Sequence, residues 1–383
     1  MDNSLTSPNQ DLIDQAEENS IIAIATPRQL MWWKFRKHRV AVFSSIALIF
    51  MYLMAIFAGF LSPYDPNAYN ASYKYVQPMV FGLVDGEGNF TFRPGVYGLI
   101  QNRDPETLRT TYETDYSRWY PIHFFVKGTS YTFLQFFEMD IHLFGLGEEA
   151  EGMPIFVMGS DRLGRDMFSR VTYGSQVSLS IGLVSVFLSL ILGIVLGGIS
   201  GYYGGIADTV IQRLIEFIRS VPSLPLWMAL TAALPPEMPQ EQRYFGITVI
   251  LSVIGWTSLG RQVRGRFLAL RTDDFVLSAR LSGASDLRII IRHMVPSFTS
   301  HIIASLTLSI PGIILAETAL SFLGLGLRQP AISWGVLLQE AQNIRTVALA
   351  PWLLLPGLSV VAAVLAFNFL GDGLRDAADP FSR

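Results

Sequence analysis

Little in this chain of 383 residues could do chemistry alone. There is no cysteine, which excludes disulfides, thiol catalysis and thiolate metal sites. The five histidines, His38, His123, His142, His293 and His301, show no zinc-protease spacing. His123 and His142 could bind a metal in the region they share, but no metal site is expected, and His38 and His293 suit a membrane surface better than ligation. The four lysines are Lys34, Lys37, Lys74 and Lys127, and none follows a glycine. A phosphate-cradling loop needs Gly-Lys followed by Ser or Thr, so no nucleotide site of the usual kind is present. No catalytic constellation and no bound cofactor are expected. One carboxylate stands out: Glu317 is the single charge in the apolar run Val295–Phe322. An acid inside such a run is costly unless it faces a cavity or a partner. Glu317 therefore either lines a solute path or gate, where it could attract an amine, or sits at the outer end of the run, wet or paired with an arginine such as Arg328.

The elements that must position these residues are apolar. Half of the chain is hydrophobic and only 15% is charged, against about a quarter in a soluble domain. The mean hydropathy is +0.37. A helix needs about 20 apolar residues to cross a bilayer. Val40–Leu61 is long enough and uncharged. Residues 171–207 carry no charge, with Val177–Ile199 at their centre. Val221–Pro236 is shorter and extends backwards through IQRLIEFIRS. Tyr244–Leu259, Val295–Phe322 and Thr346–Gly371 follow. These runs predict six spans in an all-α polytopic membrane protein.

Basic residues set the orientation. Arg28, Lys34, Arg36, Lys37 and Arg39 precede the first run. Arg261, Arg264, Arg266, Arg271, Arg280, Arg288 and Arg292 lie between the fourth and fifth. An even number of spans separates the two segments, so both are cytoplasmic, as are both termini. Residues 1–27 are polar, with acids at Asp14, Glu17 and Glu18, and are expected to be a disordered tail.

The first two spans are separated by a long aromatic and acidic region, which the same orientation places outside. MVFGLVDGEGNFTF alternates around Asp85-Gly86-Glu87-Gly88 and predicts a β-hairpin. HFFVKGTSYTFLQF suggests a second. The expected architecture is therefore a tail over 1–27, a first module with its helix over 28–66, a β-rich outer domain over 67–157 and a helical core over 158–383. Asp161, Arg162, Arg165 and Asp166, before the second span, suit a capped and paired helix start better than an outer contact site.

Residues 277–297, LSARLSGASDLRIIIRHMVPS, form a polar elbow between apolar spans. Thr272 is placed to cap a first helix, with Asp273 and Asp274 in its first turn. Gly283 fits the left-handed position that ends it. Ser285 can cap a second helix, with Asp286 in its first turn, and Pro296 leads into the next span. Val276, Leu277 and Leu281 form an apolar side of the first helix, and Leu287, Ile290, Ile291 and Met294 one on the second. The elbow is thus a stiff joint that a moving partner could push.

This stretch resembles the cytoplasmic coupling loop of ABC-importer permeases, which reads Glu-Ala-Ala, three residues, Gly, nine residues, Ile, one residue, Leu-Pro. Gly283 stands at the glycine, Ala279 and Ser278 at the alanines, and Val295-Pro296 at Leu-Pro. Leu277 replaces the glutamate and His293 the isoleucine. Three further stretches, WKFRKHRVAVFSSIALIFMYLMAIFAGFLSPYDP, GSDRLGRDMFSRVTYGSQVSLSIGL and ILAETALSFLGLGL, are similar to the oligopeptide/dipeptide/nickel permease group. The resemblance implies a type I ABC importer permease fold with six transmembrane helices. It implies coupling helices over 272–295, with Leu277, Ser278, Ala279, Arg280, Gly283, Ala284, Ser285, Asp286, His293 and Pro296 at the contact with an ATPase. Glu317 would be a candidate for the translocation path.

By the same resemblance, ATP is bound by separate cytoplasmic subunits. A homologous second permease and an extracytoplasmic substrate-binding protein complete the complex, in a bacterial or archaeal cytoplasmic membrane. Peptide import by alternating access is the expected activity. An ion-gradient-driven secondary transporter is the rival reading, and a non-transport membrane scaffold a second.

Overall fold

The structure, a computed structural model, describes residues 26–103, 105–106, 110–133, 136–147, 150 and 152–378. Residues 1–25 of the expected tail lie outside the described residues. The last two tail positions belong instead to a helix start. Thr26 caps α1 (Pro27–Lys37) in a reciprocal box with Gln29.

Helix α2 (Arg39–Ile56) and the short α3 (Ala58–Leu61) follow. One face of α2, with Ala41, Ser44, Leu48 and Ala55, is buried. It packs on α13 (Leu355–Ala378). Close approach needs glycine there: a Cβ on Gly373 would lie 2.2 Å from the Ala41 Cβ.

A four-stranded antiparallel meander comes next: β1 (Phe81–Val84), β2 (Phe90–Arg103), β3 (Thr110–Phe133) and β4 (Phe137–Leu146). The first expected hairpin forms, with the Asp85 carboxylate accepting from the backbone of Glu87 and Asn89. The second expected hairpin does not. Residues 123–133 are one strand that shifts register between Lys127 and Tyr131 and reverses beyond Phe133. Gly128 serves packing here: a Cβ on it would meet the His142 ring at 2.6 Å. Val76, Val96, Ile122, Ile155 and Phe156 form a separate core beneath the sheet. His142 ties the sheet to α3. Its Nδ1 faces the carbonyls of Gly59 (3.1 Å) and Ser62 (2.5 Å), and its Nε2 that of Thr129 (2.9 Å).

Helix α4 (Met167–Tyr203) has 37 residues, about 55 Å at 1.5 Å per residue, so it projects beyond a bilayer's apolar core. Asp166 caps it, accepting from the Ser169 amide at 2.7 Å and its hydroxyl at 2.6 Å. A seam of small residues four apart, Ser185, Ser189, Gly193, Gly197 and Gly201, faces α7 (Gln240–Leu270). The two serine hydroxyls donate to the Thr248 and Ser252 carbonyls. A Cβ on Gly197 would meet the Gly260 carbonyl at 2.4 Å. Small residues bring the backbones together where lipid supplies no hydrophobic drive.

Helices α5 (Gly205–Ser220) and α6 (Ser223–Ala232) are separate. The expected third span therefore does not extend back through IQRLIEFIRS. Val221 is extended and Pro222 caps the next helix, which breaks the ladder there. Helix α8 (Asp274–Leu281), α9 (Asp286–Ile289) with its wide-turn continuation to Ser297, and α10 (Thr299–Phe322) lead to α11 (Trp334–Leu338), α12 (Ile344–Leu349) and α13.

Among the described residues, four segments are long and apolar enough to cross a membrane: Arg39–Ile56, Met167–Tyr203, Thr299–Phe322 and Pro351–Ala378. The expected third and fourth spans fall short of that measure. Helix α6 has 10 residues, about 15 Å, and α7 carries several arginines.

Candidate functional site

The elbow is built from its glycine outward. Gly283 has φ of +78°, which other residues adopt with strain. The Ala284 amide donates to the Ala279 carbonyl and the Gly283 amide to the Arg280 carbonyl, both at 3.0 Å. These are the paired bonds of a Schellman ending. Both alanines are half-buried against the cluster of Val263, Phe267, Phe298 and Ile302. The alanine and glycine positions thus have a local cause: one fits under the turn, the other makes it. Ser285 then starts α9, with no side-chain capping bond. Thr272 is not the cap of α8; Asp273 holds that position, and its carbonyl accepts from Val276 and Leu277. Thr272 instead donates back to the Ala269 carbonyl, which closes the end of α7.

The apolar sides divide differently from expectation. Val276, Ile289 and Met294 are fully buried against α4, α7 and α10. Leu277, Leu281, Leu287 and Ile291 point away, with Leu281 90% exposed. Val276 and Met294 therefore anchor the elbow, whereas the outward leucines and isoleucine form an apolar surface. Ser278, Arg280, Gly283, Ser285, Asp286 and Pro296 are exposed, and His293 is half-buried.

Polar bonds fix the elbow to the inner end of α4. The Tyr202 hydroxyl donates to the Asp286 carboxylate at 2.7 Å and accepts from Arg280 at 3.0 Å. The Arg280 guanidinium lies 5.6 Å from the centre of the Tyr202 ring. Beside this joint, Arg264 makes a bidentate pair with Asp208 at 2.5 and 2.7 Å, and Ser200 donates to the same carboxylate. The Arg264 hydrogen bonds hold the Asp208 carboxyl below the usual carboxylate range. The sequence does not single out Tyr202 or the Asp208–Arg264 pair. The signal was available in part: a tyrosine at a span end and a lone acid opposite an arginine-rich segment.

Glu317 lies elsewhere, fully buried. It is neither wet nor paired with Arg328, whose guanidinium donates to the Gly324 carbonyl instead. Ser321 donates to the Glu317 carboxylate at 2.8 Å and Ser178 at 3.3 Å. Each serine oxygen in turn accepts a backbone N–H, from Leu327 at 3.1 Å and Trp334 at 3.1 Å. The carboxylate thereby holds the loop between α10 and α11 at its middle and at its far end. That loop supplies Leu327, Pro330 and Ile332 to a cavity of about 960 Å³. The cavity opens where the sheet meets α4 and α7, and Tyr131, Tyr173 and Tyr244 also line it.

The charged group before α4 is a paired helix start. Arg165 contacts Asp161 at 2.6 Å and Glu340 at 3.5 Å, Arg162 contacts Glu340 at 3.3 Å, and Arg170 lies 3.7 Å from Asp161. Burial raises the Glu340 carboxyl, against the pull of the arginines, and pushes Asp166 up to about 6.

Long apolar helices carrying buried polar joints define a mostly helical, polytopic membrane protein. Residues 193–383 match the binding-protein-dependent transport system inner membrane component, and residues 26–78 match the N-terminal TM domain of oligopeptide transport permease C. The chain is 37% identical over 224 residues to the dipeptide transport system permease protein DppC of Bacillus subtilis (strain 168), covering 58% of this chain and 68% of that protein. It is 29% identical over 356 residues to the DppC of Haemophilus influenzae, covering 93% of this chain and 95% of that protein. The chain belongs to the family of binding-protein-dependent transport system inner membrane components, the permeases of ABC importers. A solved chain of the MetNI methionine ABC transporter in an inward facing conformation is 16% identical, with a TM-score of 0.43 over 55% of this chain and 97% of that one.

Proposed function

We propose that this chain is the membrane-spanning permease subunit of an ATP-driven importer of peptides. The elbow carries the reading. Its inner side is locked to three helices by Val276, Ile289, Met294 and the Tyr202–Asp286 bond. Its outer side offers Leu277, Leu281, Leu287 and Ile291. A partner seated on that surface would move α4, α7 and α10 with it. ATP belongs to separate cytoplasmic subunits docking there, around Ser278, Ala279, Arg280, Gly283, Ala284, Ser285 and Asp286, with His293 and Pro296 at its far edge.

In this reading α6 and α7 complete six spans with α2, α4, α10 and α13, and both termini face the cytoplasm of a bacterial cell. Helix α6 is short, so a second, homologous permease would cover it. The sheet region, 67–157, lies outside and receives an extracytoplasmic binding protein. Peptide enters at the cavity below the sheet. Glu317 acts on that path from behind its wall, by fixing the loop that lines it. The peptide substrate is supported by the relatives, which are dipeptide transport permeases, and by a roomy, tyrosine-lined cavity.

The test is uptake by proteoliposomes holding this chain, its co-purifying partners and the binding protein. Labelled dipeptide and oligopeptide should enter only when ATP is present on the ATPase side. Uptake driven by an imposed proton or sodium gradient, with the ATPase subunits absent, would establish the ion-driven rival instead.

A further inference from the structure

The end of the β3–β4 hairpin is amphipathic and continues the apolar outer face of the first span. Along α2 and its C-cap, Phe43, Phe50 and Phe57 lie at seven-residue spacing on the exposed side, opposite the buried Ala41, Leu48 and Ala55. On a membrane-crossing helix this stripe faces lipid tails. At its upper end Phe57 stacks on Phe133 of β3, with ring centres 5.4 Å apart. Nearby, Phe60 contacts Phe125 at 6.1 Å.

Directly opposed residues of an antiparallel pair share a face. Phe133 opposes Phe137, and Tyr131 opposes Met139, so these four share one face. Tyr131 lies against Gly59 of α3, where a Cβ would come within 2.2 Å of its ring. Thr132 opposes Glu138 on the other face. The hairpin is therefore apolar towards the helix end and polar away from it. Yet Phe137 remains 63% exposed and Phe125 69%. Phe125 is also held at φ of +57°, a conformation that bulky residues rarely adopt. At the level of the helix end the neighbouring medium is the outer boundary of the bilayer, where aromatic rings partition favourably.

We propose that the β3–β4 hairpin is a lipid-seated anchor: its Phe133–Phe137 face lies in the interfacial layer of the outer leaflet, beside Phe57. Thr132 and Glu138 face water. The anchor holds the sheet at a fixed height above the helices, and the His142 contacts to Gly59 and Ser62 fix it laterally. The partner is the lipid surface itself, recognised by apolar area, without a headgroup-specific contact.

The cysteine-free sequence allows a clean test. Spin labels would be attached to Phe137→Cys and, separately, to Met139→Cys, Glu138→Cys and Phe92→Cys. Phe92, in the β1–β2 hairpin, is 95% exposed and serves as the water reference. The full-length chain with its partner subunits is reconstituted in vesicles of phosphatidylcholine and phosphatidylglycerol. Collision rates with oxygen, which concentrates in lipid, and with a water-soluble nickel chelate are then measured. The proposal predicts several-fold higher oxygen-to-nickel accessibility at 137 and 139 than at 92 and 138. Water-like ratios at both 137 and 139 would overturn it. Labels there shielded from both reagents would also overturn it, because a protein would then cover the face.

Discussion

The hydroxyl of Tyr202 donates to the carboxylate of Asp286 at 2.7 Å, joining the inner end of the longest helix to the second helix of the elbow. The same hydroxyl accepts from Arg280 on the first elbow helix. One oxygen therefore spans the turn at Gly283 and fixes both arms to α4. A push on either arm reaches the helix without slack.

Removing that oxygen tests the joint. Tyr202→Phe keeps the ring against Arg280 but deletes both bonds to the elbow. Assembly should survive. Peptide transported per ATP hydrolysed should fall several-fold. Parallel ATPase and uptake assays on the reconstituted complex would show it. Equal losses in both rates would mean that the bond serves folding alone.

Gly283 is required for its backbone conformation and not for space, since nothing lies within 4 Å of the position a Cβ would take. Gly283→Asn should therefore retain most uptake, because asparagine tolerates the left-handed region. Gly283→Val should lose the turn, at about 1–2 kcal/mol or more of strain. The comparison needs only uptake and complex yield for the two variants.

Glu317 holds a loop through two serines, so its removal should act on the cavity wall. Glu317→Leu leaves the Ser178 and Ser321 hydroxyls without their acceptor, a cost of about 1–3 kcal/mol for each buried group left unmatched. Glu317→Gln keeps one acceptor and should lie between Leu and the native residue. Melting temperature and peptide KM, measured together, should move in that order. If Glu317 instead met substrate directly, KM alone would shift and the melting temperature would stay put.

The Asp208–Arg264 pair predicts an acid-side weakness. Its folded carboxyl lies below the usual carboxylate range because Arg264 and Ser200 donate to it. A depressed acid stabilises the fold above its unfolded value, about 4, and that contribution is lost as pH falls through the lower folded value. Thermal melts of the purified chain from about pH 7 to about pH 3 should show this decline. In Asp208→Asn the stability at pH 7 should be lower and the acid-side slope shallower.

What the sequence made legible was local. Gly283 could be placed because a helix end has a residue-level signature, and the apolar runs found α2, α4, α10 and α13 because length and composition decide such helices. The misreadings have two physical sources, a local backbone break and long-range contact. Val221–Pro222 breaks a run that hydropathy had joined, since apolar composition does not register a missing hydrogen bond. HFFVKGTSYTFLQF suggested a hairpin, yet its Gly128 makes room for the ring of His142, which lies on another strand. Glu317 was visible as a buried acid, but Ser178, which helps to satisfy it, lies 139 positions away. Asp286 and Tyr202 are 84 apart, so neither residue alone signals the bond.

The central claim is that the outward face of the elbow seats the ATPase. The most direct measurement is the subunit composition of the complex purified in mild detergent from native membranes, with and without Leu281→Asp and Leu287→Asp together. Both side chains point outward, so the fold and the second permease should be retained. The ATPase subunits should be lost from the variant and present with the native chain. A variant complex that keeps its ATPase at full stoichiometry would contradict the claim.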